Sequence, residues 1–509
     1  MHQILWLLPP FLLTTLAFGG IIVPKLNLIK DLICRDYLAE QAYRDPAFSS
    51  YPVLFDGTPN DQCRIPAVQS RATQFMLLGG MISGILSAMT SPKLGALSDR
   101  VGRLPVTAIT QIGGLTGEII TIVAASHPET FPVYWLYVGF VMDGLCGSFI
   151  AGMALSHAYA TDCTPPALRS VAFGYFHGIL FSGIALGPLI SGFIVKYTGN
   201  LLSIFYVVLG CHSIFLLSLL LIIPESLSKH RQQAARDRLR EKEESDTRMN
   251  VKWLSKLRNY NPFAPLKVLY PTGPGSSRRV RRNLVLLASV DTIMFGVGMG
   301  SMTVAILYIN FQFGWDTPEQ SVFLSSVNIC RVLCLMLVLP LVTRLVRGPV
   351  STRKPQRQTG CDLLDLNLIR IAVFFDTMGY LGYTLVRTGP LFILSGCVAA
   401  IGGIGSPSLQ AALTKHVPHD RVGELLGANG LLHALARIVA PVIFNSIYSA
   451  TVGKFTQAVF LCLTCGFAIA FVVSWFIRPG VYLDDPSSVP PSRAGLDPED
   501  EDMEDELAI

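Results

Sequence analysis

The chain has 509 residues, 51% of them hydrophobic and only 15% charged, with a mean hydropathy of +0.47 and a formal net charge of +5. This composition excludes a disordered chain and fits a polytopic membrane protein rather than a soluble one. No nucleic-acid partner is expected.

Apolar runs of about 20 residues, enough to cross a hydrocarbon core of roughly 30 Å at about 1.5 Å per residue, begin near Ile4, Gln74, Pro105, Val133, Val171 and Leu202. After a polar gap, six more begin near Leu284, Ser321, Leu368, Leu391, Leu425 and Phe455. The expectation is an all-α polytopic membrane protein of twelve transmembrane helices in two six-helix bundles. The first bundle is expected over 1–223, a basic cytoplasmic linker over 224–282, the second bundle over 283–478 and a disordered acidic tail over 479–509.

Met1 to Pro24 has no basic n-region and no cleavage site, so it reads as a retained span rather than a signal peptide. A long loop over 25–71 follows and holds two of the eleven cysteines, Cys34 and Cys63. They are candidates for a disulfide, with two free thiols as the alternative. The remaining cysteines, including Cys462 and Cys465, read as buried small hydrophobes. No N-x-[ST] sequon occurs.

Between spans 2 and 3 stands Gly95-Ala96-Leu97-Ser98-Asp99-Arg100-Val101-Gly102-Arg103. This G-x-L-x-D-R-x-G-R pattern resembles the signature of the major facilitator superfamily, whose fold is then implied for the chain. The resemblance implies that Asp99, Arg100 and Arg103 brace the two bundles on the cytoplasmic side. Gly95 and Gly102 would permit close helix approach and backbone angles closed to other residues, and an anion at Asp99 suits arginines or a helix N-terminus. The bland alternative is that these charges only satisfy topology.

Thr161-Asp162 to Arg169, leading into Phe173-Gly174, is similar to the loop between helices 4 and 5 of tetracycline-efflux-like and proton-coupled folate-transporter-like members. Span 5 then carries Gly174, Gly183, Gly187, Pro188 and Gly192. Their spacing resembles G-x8-G-x3-G-P-x2-G-G of proton-coupled drug exporters, with Ser191 in place of one glycine. Ordinary small-residue packing is the alternative. Those exporters also carry R-x-x-x-G on helix 4, where this chain has Asp143 followed by Gly147. That departure leaves import by proton symport, or another antiport scheme, open. Pro224-Glu225-Ser226, closing span 6, resembles fungal members.

An internal repeat runs through both halves. Pro165, Arg169, Gly174 and Gly187-Pro188 recur, within one residue of spacing, as Pro418, Arg421, Gly427 and Ala440-Pro441. A degenerate echo of the first signature follows span 8 with Arg344 and Arg347, but it lacks the aspartate. From Pro224 to Arg282 there are fifteen Lys or Arg against six Asp or Glu, so this side and both termini are expected in the cytoplasm. Ser228 to Thr247 reads either as a surface helix or as a solvated linker.

Charges inside the hydrocarbon are costly and point to mechanism. Asp143, Asp291, Arg331 and Arg437 fall on spans that line the cavity in this superfamily; Glu118 and Asp376 fall on supporting spans. Desolvation favours the neutral form of such a carboxylate and a nearby arginine its charged form, so it can exchange protons. Asp143 is the first candidate and Asp291 the second; the alternative for Asp143 is a static ion pair with Arg331 or Arg437. His177 and His433 read as satisfied by helix-to-helix hydrogen bonds, or as titrating groups. The clusters at Gly296–Gly300 and Gly402–Gly405 read as hinges or packing faces.

The sequence has no nucleotide-binding loop, zinc-protease motif or nucleophile elbow. The expected function is secondary active transport of a small organic solute by alternating access, coupled to protons, in a monomer without cofactor or metal. An uncoupled facilitator and a transport-inactive nutrient sensor are the alternatives. Plasma membrane and vacuolar or endosomal membrane both fit the topology.

Overall fold

The computed structural model describes residues 2–45, 51–53, 61–63, 65–248, 263–272, 276–315, 317–348, 360–418, 421–452 and 454–482. The acidic tail, part of the basic linker and most of the first loop's middle lie outside the described residues.

Among the described residues, ten helical segments are long and apolar enough to cross a membrane. Two further helices complete twelve spans. Leu363–Leu385 carries Asp365, Arg370 and Asp376, and Ala458–Ser474 has only 17 residues. In chain order the helices are α1 (His2–Arg44), α2 (Pro66–Val101), α3 (Arg103–Ser126), α4 (Leu136–Leu145), α5 (Ser148–Cys163), α6 (Arg169–Thr198), α7 (Leu202–Leu221), α8 (Lys229–Arg248) and α9 (Arg278–Phe313). Then come α10 (Thr317–Leu333), α11 (Leu339–Arg347), α12 (Leu363–Leu385), α13 (Gly389–Ile401), α14 (Gly405–Thr414), α15 (Val422–Thr451) and α16 (Ala458–Ser474).

Three spans are broken by one turn. Span 4 is interrupted at Gly147, whose φ of 88° is left-handed. A Cβ there would lie 2.5 Å from the Ala151 Cβ and 2.6 Å from Leu94, so the position needs glycine twice over. Span 8 widens into a π turn over Cys334–Val338 between α10 and α11, and span 10 tightens into a 3-10 turn over Gly402–Ile404 between α13 and α14.

The expected loop from Lys25 is instead helix as far as Arg44. With 43 residues, α1 is about 64 Å long, roughly twice the hydrocarbon thickness. Leu28, Ile29, Leu32 and Ile33 recur at helical spacing and are buried, which gives the extension an apolar face to pack. Near its end Cys34 is joined to Cys63 by a disulfide. Ser228–Thr247 is almost wholly within α8. Cys462 and Cys465 are exposed rather than buried, as are Leu77, Ile112, Leu220, Leu341 and Val472, an apolar exterior suited to lipid.

The repeat read from sequence is visible in the backbone. α6 and α15 each have 30 residues, and their N-cap residues Leu168 and Arg421 share φ −114° with ψ 0° and 7°. Pro188 and Pro441 stand at the same place along the two helices. α15 packs on α2, and α6 packs on α10 and α14, so each half sends one such helix across to the other.

Candidate functional site

At the end of α2 the G-x-L-x-D-R-x-G-R turn forms a buried ionic knot. Gly102 takes φ 119°, which ends α2 and starts α3. Arg103, fully buried, donates from Nη1 to Asp99 Oδ1 at 2.6 Å and Ser98 Oγ at 2.7 Å, and from Nε to Asp162 Oδ2 at 2.8 Å. Asp99 then accepts the backbone N–H groups of Gly423 at 3.1 Å and Glu424 at 2.9 Å, the unsatisfied donors in the first turn of α15. One carboxylate therefore joins the two halves. Gly95 makes the approach possible, since a Cβ there would lie 2.3 Å from the Gly423 carbonyl oxygen. The backbone oxygen of Arg100 accepts from Arg236 of α8 at 2.9 Å, and Arg100 lines a cavity of about 940 Å³ together with Arg421 and Tyr270.

Sequence reasoning missed two members of this knot. In sequence Asp162 reads only as part of the loop leading to Arg169, and Glu225 only as part of the tripeptide closing span 6. Glu225 accepts the backbone N–H groups of Arg103 at 2.9 Å and Leu104 at 3.1 Å, which caps α3.

The second half builds a matching knot from different residues. Arg347 reaches Asp362 at 2.5 Å and Asp365 at 3.0 Å, and Lys415 also pairs with Asp365. Arg347 donates to the Ala167 carbonyl, and Ser170 to Asp365 at 3.3 Å, both across to the first half. Arg169 returns a bond to the Thr414 carbonyl at 2.9 Å. The aspartate lacking from the echo after span 8 is thus supplied by Asp362 and Asp365, beyond the intervening loop.

The span 5 glycines pack α6 against α1. A Cβ at Gly183 would lie 2.3 Å from the Thr15 carbonyl oxygen, and one at Gly187 would lie 2.4 Å from the Gly20 nitrogen. Gly174 faces Leu339 of α11 across the halves, whereas Gly192 has open space. In α15 the corresponding face presents Ala436 and Ala440 to Gly296 of α9 at 3.5 and 3.7 Å from the position of a Cβ there.

The charges in the middle of the spans separate into distinct environments. Asp291 is fully buried; its Oδ2 meets His433 Nε2 at 2.8 Å and Asn429 Nδ2 at 2.7 Å, while Oδ1 has no partner. Phe295 stacks on His433 at 4.2 Å. Asp143 accepts from Ser83 at 2.6 Å and is paired with neither Arg331 nor Arg437 among the described residues. Glu118 is held by Lys25 of α1 at 2.9 Å. Asp376 is buried against Gly402, and Arg331 lies on Gly403 with its guanidinium 4.6 Å over the Phe181 ring. Arg437 is exposed. His177 bonds its own helix at the Phe173 carbonyl, 3.1 Å away, and stacks on His157, a buried histidine of span 4 that sequence reasoning passed over. Asp143, Asp291, Arg331 and Arg437 thus do not converge into one ion cluster. No group of three or more His, Cys, Asp or Glu is arranged to hold a metal ion among the described residues.

Comparison with known proteins accords with this architecture. The family model described as Major Facilitator Superfamily matches residues 66–361, more than half of the chain. The MFS-type transporter avaJ of Aspergillus versicolor is 32% identical over 477 residues, covering 93% of this chain and 88% of its own. The class H tetracycline resistance protein of Pasteurella multocida is 23% identical over 410 residues, covering 80% and 87%. The solved structure of the human organic anion transporter MFSD10 (TETRAN) superposes with a TM-score of 0.65 at 17% identity, covering 92% of this chain and 98% of that one. A transmembrane transporter with twelve spans and two ionic knots across one end, the chain belongs to the major facilitator superfamily.

Proposed function

We propose that the protein moves a small organic solute by alternating access, driven by protons that load and leave Asp291. The Asp291–His433 pair carries this reading. A carboxylate and an imidazole share a hydrogen at 2.8 Å inside the membrane-spanning region, and the second carboxylate oxygen is left without a partner. A buried charge is costly there, so the pair is a place where opening to either side is felt. Asp143, with Ser83 as its partner, is the second candidate. Glu118, tied to Lys25, has a supporting role.

The closed end, with Asp99 and Arg103, faces the cytoplasm on this reading. The fifteen Lys or Arg between Pro224 and Arg282 support that orientation, and so does the Cys34–Cys63 disulfide beyond the opposite end, where an oxidising compartment would maintain it. The closed end is then released in each cycle as the halves rock about the solute.

The test is uptake of a pooled metabolite and drug library into proteoliposomes under an imposed pH gradient, with Asp291→Asn and Asp143→Asn in parallel. Gradient-following flux that is lost in Asp291→Asn is the expected result. Gradient-driven flux that survives this change removes Asp291 from the coupling role. Flux that ignores the gradient in the unaltered protein identifies an uncoupled facilitator, and solute-dependent signalling without flux identifies a sensor.

A further inference from the structure

Arg331 is a permanent cation placed between the two halves with nothing negative bound to it. Its stem lies on Gly403 of span 10, where a Cβ would come within 2.7 Å of it. Its head crosses to the first half and stacks over Phe181 at 4.6 Å. Nε is buried without a hydrogen-bond partner, and Arg331 forms no ion pair among the described residues. Asp376 packs on the adjacent Gly402 but is not among its bonded partners.

Stacking on an aromatic ring satisfies only a face of the guanidinium. The N–H edge remains, and in the hydrocarbon region an unmatched cation is expensive. That edge is a planar fork which fits a carboxylate bidentately. Asp291 is engaged by His433 and Asn429, and Asp143 by Ser83; Asp376 is near enough to interact with Arg331 electrostatically but makes no ion pair or hydrogen bond with it among the described residues, so the N–H edge stays open. Arg437 adds a second cation. It stands four residues beyond His433 on α15, on the same face of the helix, exposed and likewise without an ion pair among the described residues.

We infer that the solute is an organic anion whose carboxylate binds the N–H edge of Arg331, with Arg437 adding positive potential. This rests on the transport reading above, because only a site opened in turn to each side admits a solute there. Phe181 of the first half holds the head of an arginine whose stem rests on Gly403 of the second, which keeps the guanidinium at the boundary between the halves. Loss of the arginine removes selection for charge, whereas lysine keeps the charge and loses the fork.

Matched acid and amide pairs provide the test: phenylacetate with phenylacetamide, and indole-3-acetate with indole-3-acetamide. Aromatic bodies suit the Phe181 ring beside the guanidinium. Binding to the purified full chain is measured by ligand-induced thermal shift and equilibrium titration. The acids are expected to bind about 10- to 100-fold more tightly than the amides, with the difference abolished in Arg331→Gln and partly kept in Arg331→Lys. Equal binding of acids and amides, an acid preference that survives Arg331→Gln, or no binding of either acid would overturn the inference. If Arg331→Gln does not fold, the unaltered protein and Arg331→Lys still decide it. Gradient-driven flux confined to neutral solutes would sink the anion site and leave the transport reading intact; acid binding without flux would do the reverse.

Discussion

Asp99 accepts the backbone N–H of Gly423 at 3.1 Å, so a side chain of the first half caps the helix that begins a span of the second. The same carboxylate holds Arg103 at 2.6 Å, and Arg103 is fully buried. Asp99→Asn keeps the shape but removes the charge that both partners require. The expected loss is about 1–3 kcal/mol in favour of the closed end. Labelling of Ala96→Cys by a membrane-impermeant thiol reagent should accelerate, and an unchanged rate would show that the contact does not hold this end shut.

Asp365 should be more sensitive to neutralisation than Glu118, which is also tied to a lysine. Asp365 is fully buried and pairs with both Lys415 and Arg347, so Asp365→Asn leaves Lys415 buried without its anion. Breaking such a pair costs about 3–5 kcal/mol. Melting of the purified protein should fall further for Asp365→Asn than for Glu118→Gln, whose partner Lys25 keeps 27% of its side chain exposed. Equal shifts would contradict the assignment.

The two ends of the span 5 motif should respond differently to the same added methyl group. Gly183→Ala forces a Cβ to 2.3 Å from the Thr15 carbonyl, while Gly192→Ala meets nothing within 4 Å. Thermal stability and folded yield should drop for the first, by about 1–3 kcal/mol, and stay level for the second. A motif that governs transport direction without shaping packing would give the opposite pattern, altered flux with unchanged melting.

The spans were legible because an apolar run long enough to cross a bilayer leaves a compositional mark that no tertiary contact can erase. Even span 9 was found, with Asp365, Arg370 and Asp376 inside it. The breaks at Gly147, Cys334–Val338 and Gly402–Ile404 were not legible, since a one-turn change of pitch alters no hydropathy window. Helix α1 runs past Lys25 because its buried face rests on other spans, a tertiary cause that a loop-like charge pattern conceals. The roles of Asp365 and Glu225 escape a reading of the sequence for a related reason. Each acts on a group far away in sequence: Glu225 on the nitrogen of Arg103, Asp365 on Lys415. In sequence His433 reads either as helix-to-helix bonded or as a titrating group, and Asp291 is the partner that only the fold could name.

Removal of the disulfide should act locally. Cys34 and Cys63 are separated by 29 residues, and opening a loop of that size costs about 2–4 kcal/mol in the chain-entropy view. Cys34→Ser, or reduction by dithiothreitol, should raise proteolysis between Arg44 and Pro66 while the pH-dependent flux persists. Unchanged proteolysis would mean that packing alone holds the end of α1.

Paired distance measurements across both ends test alternating access most directly. Spin labels at Val101→Cys and Leu363→Cys report the end closed by Asp99 and Asp365, and labels at Tyr197→Cys and Lys454→Cys report the other; all four positions are exposed. In lipid nanodiscs the account predicts that a change of pH or added solute lengthens the first distance while it shortens the second, and that Asp99→Asn shifts the balance toward the lengthened state. A first distance that stays fixed under conditions that sustain flux would contradict it.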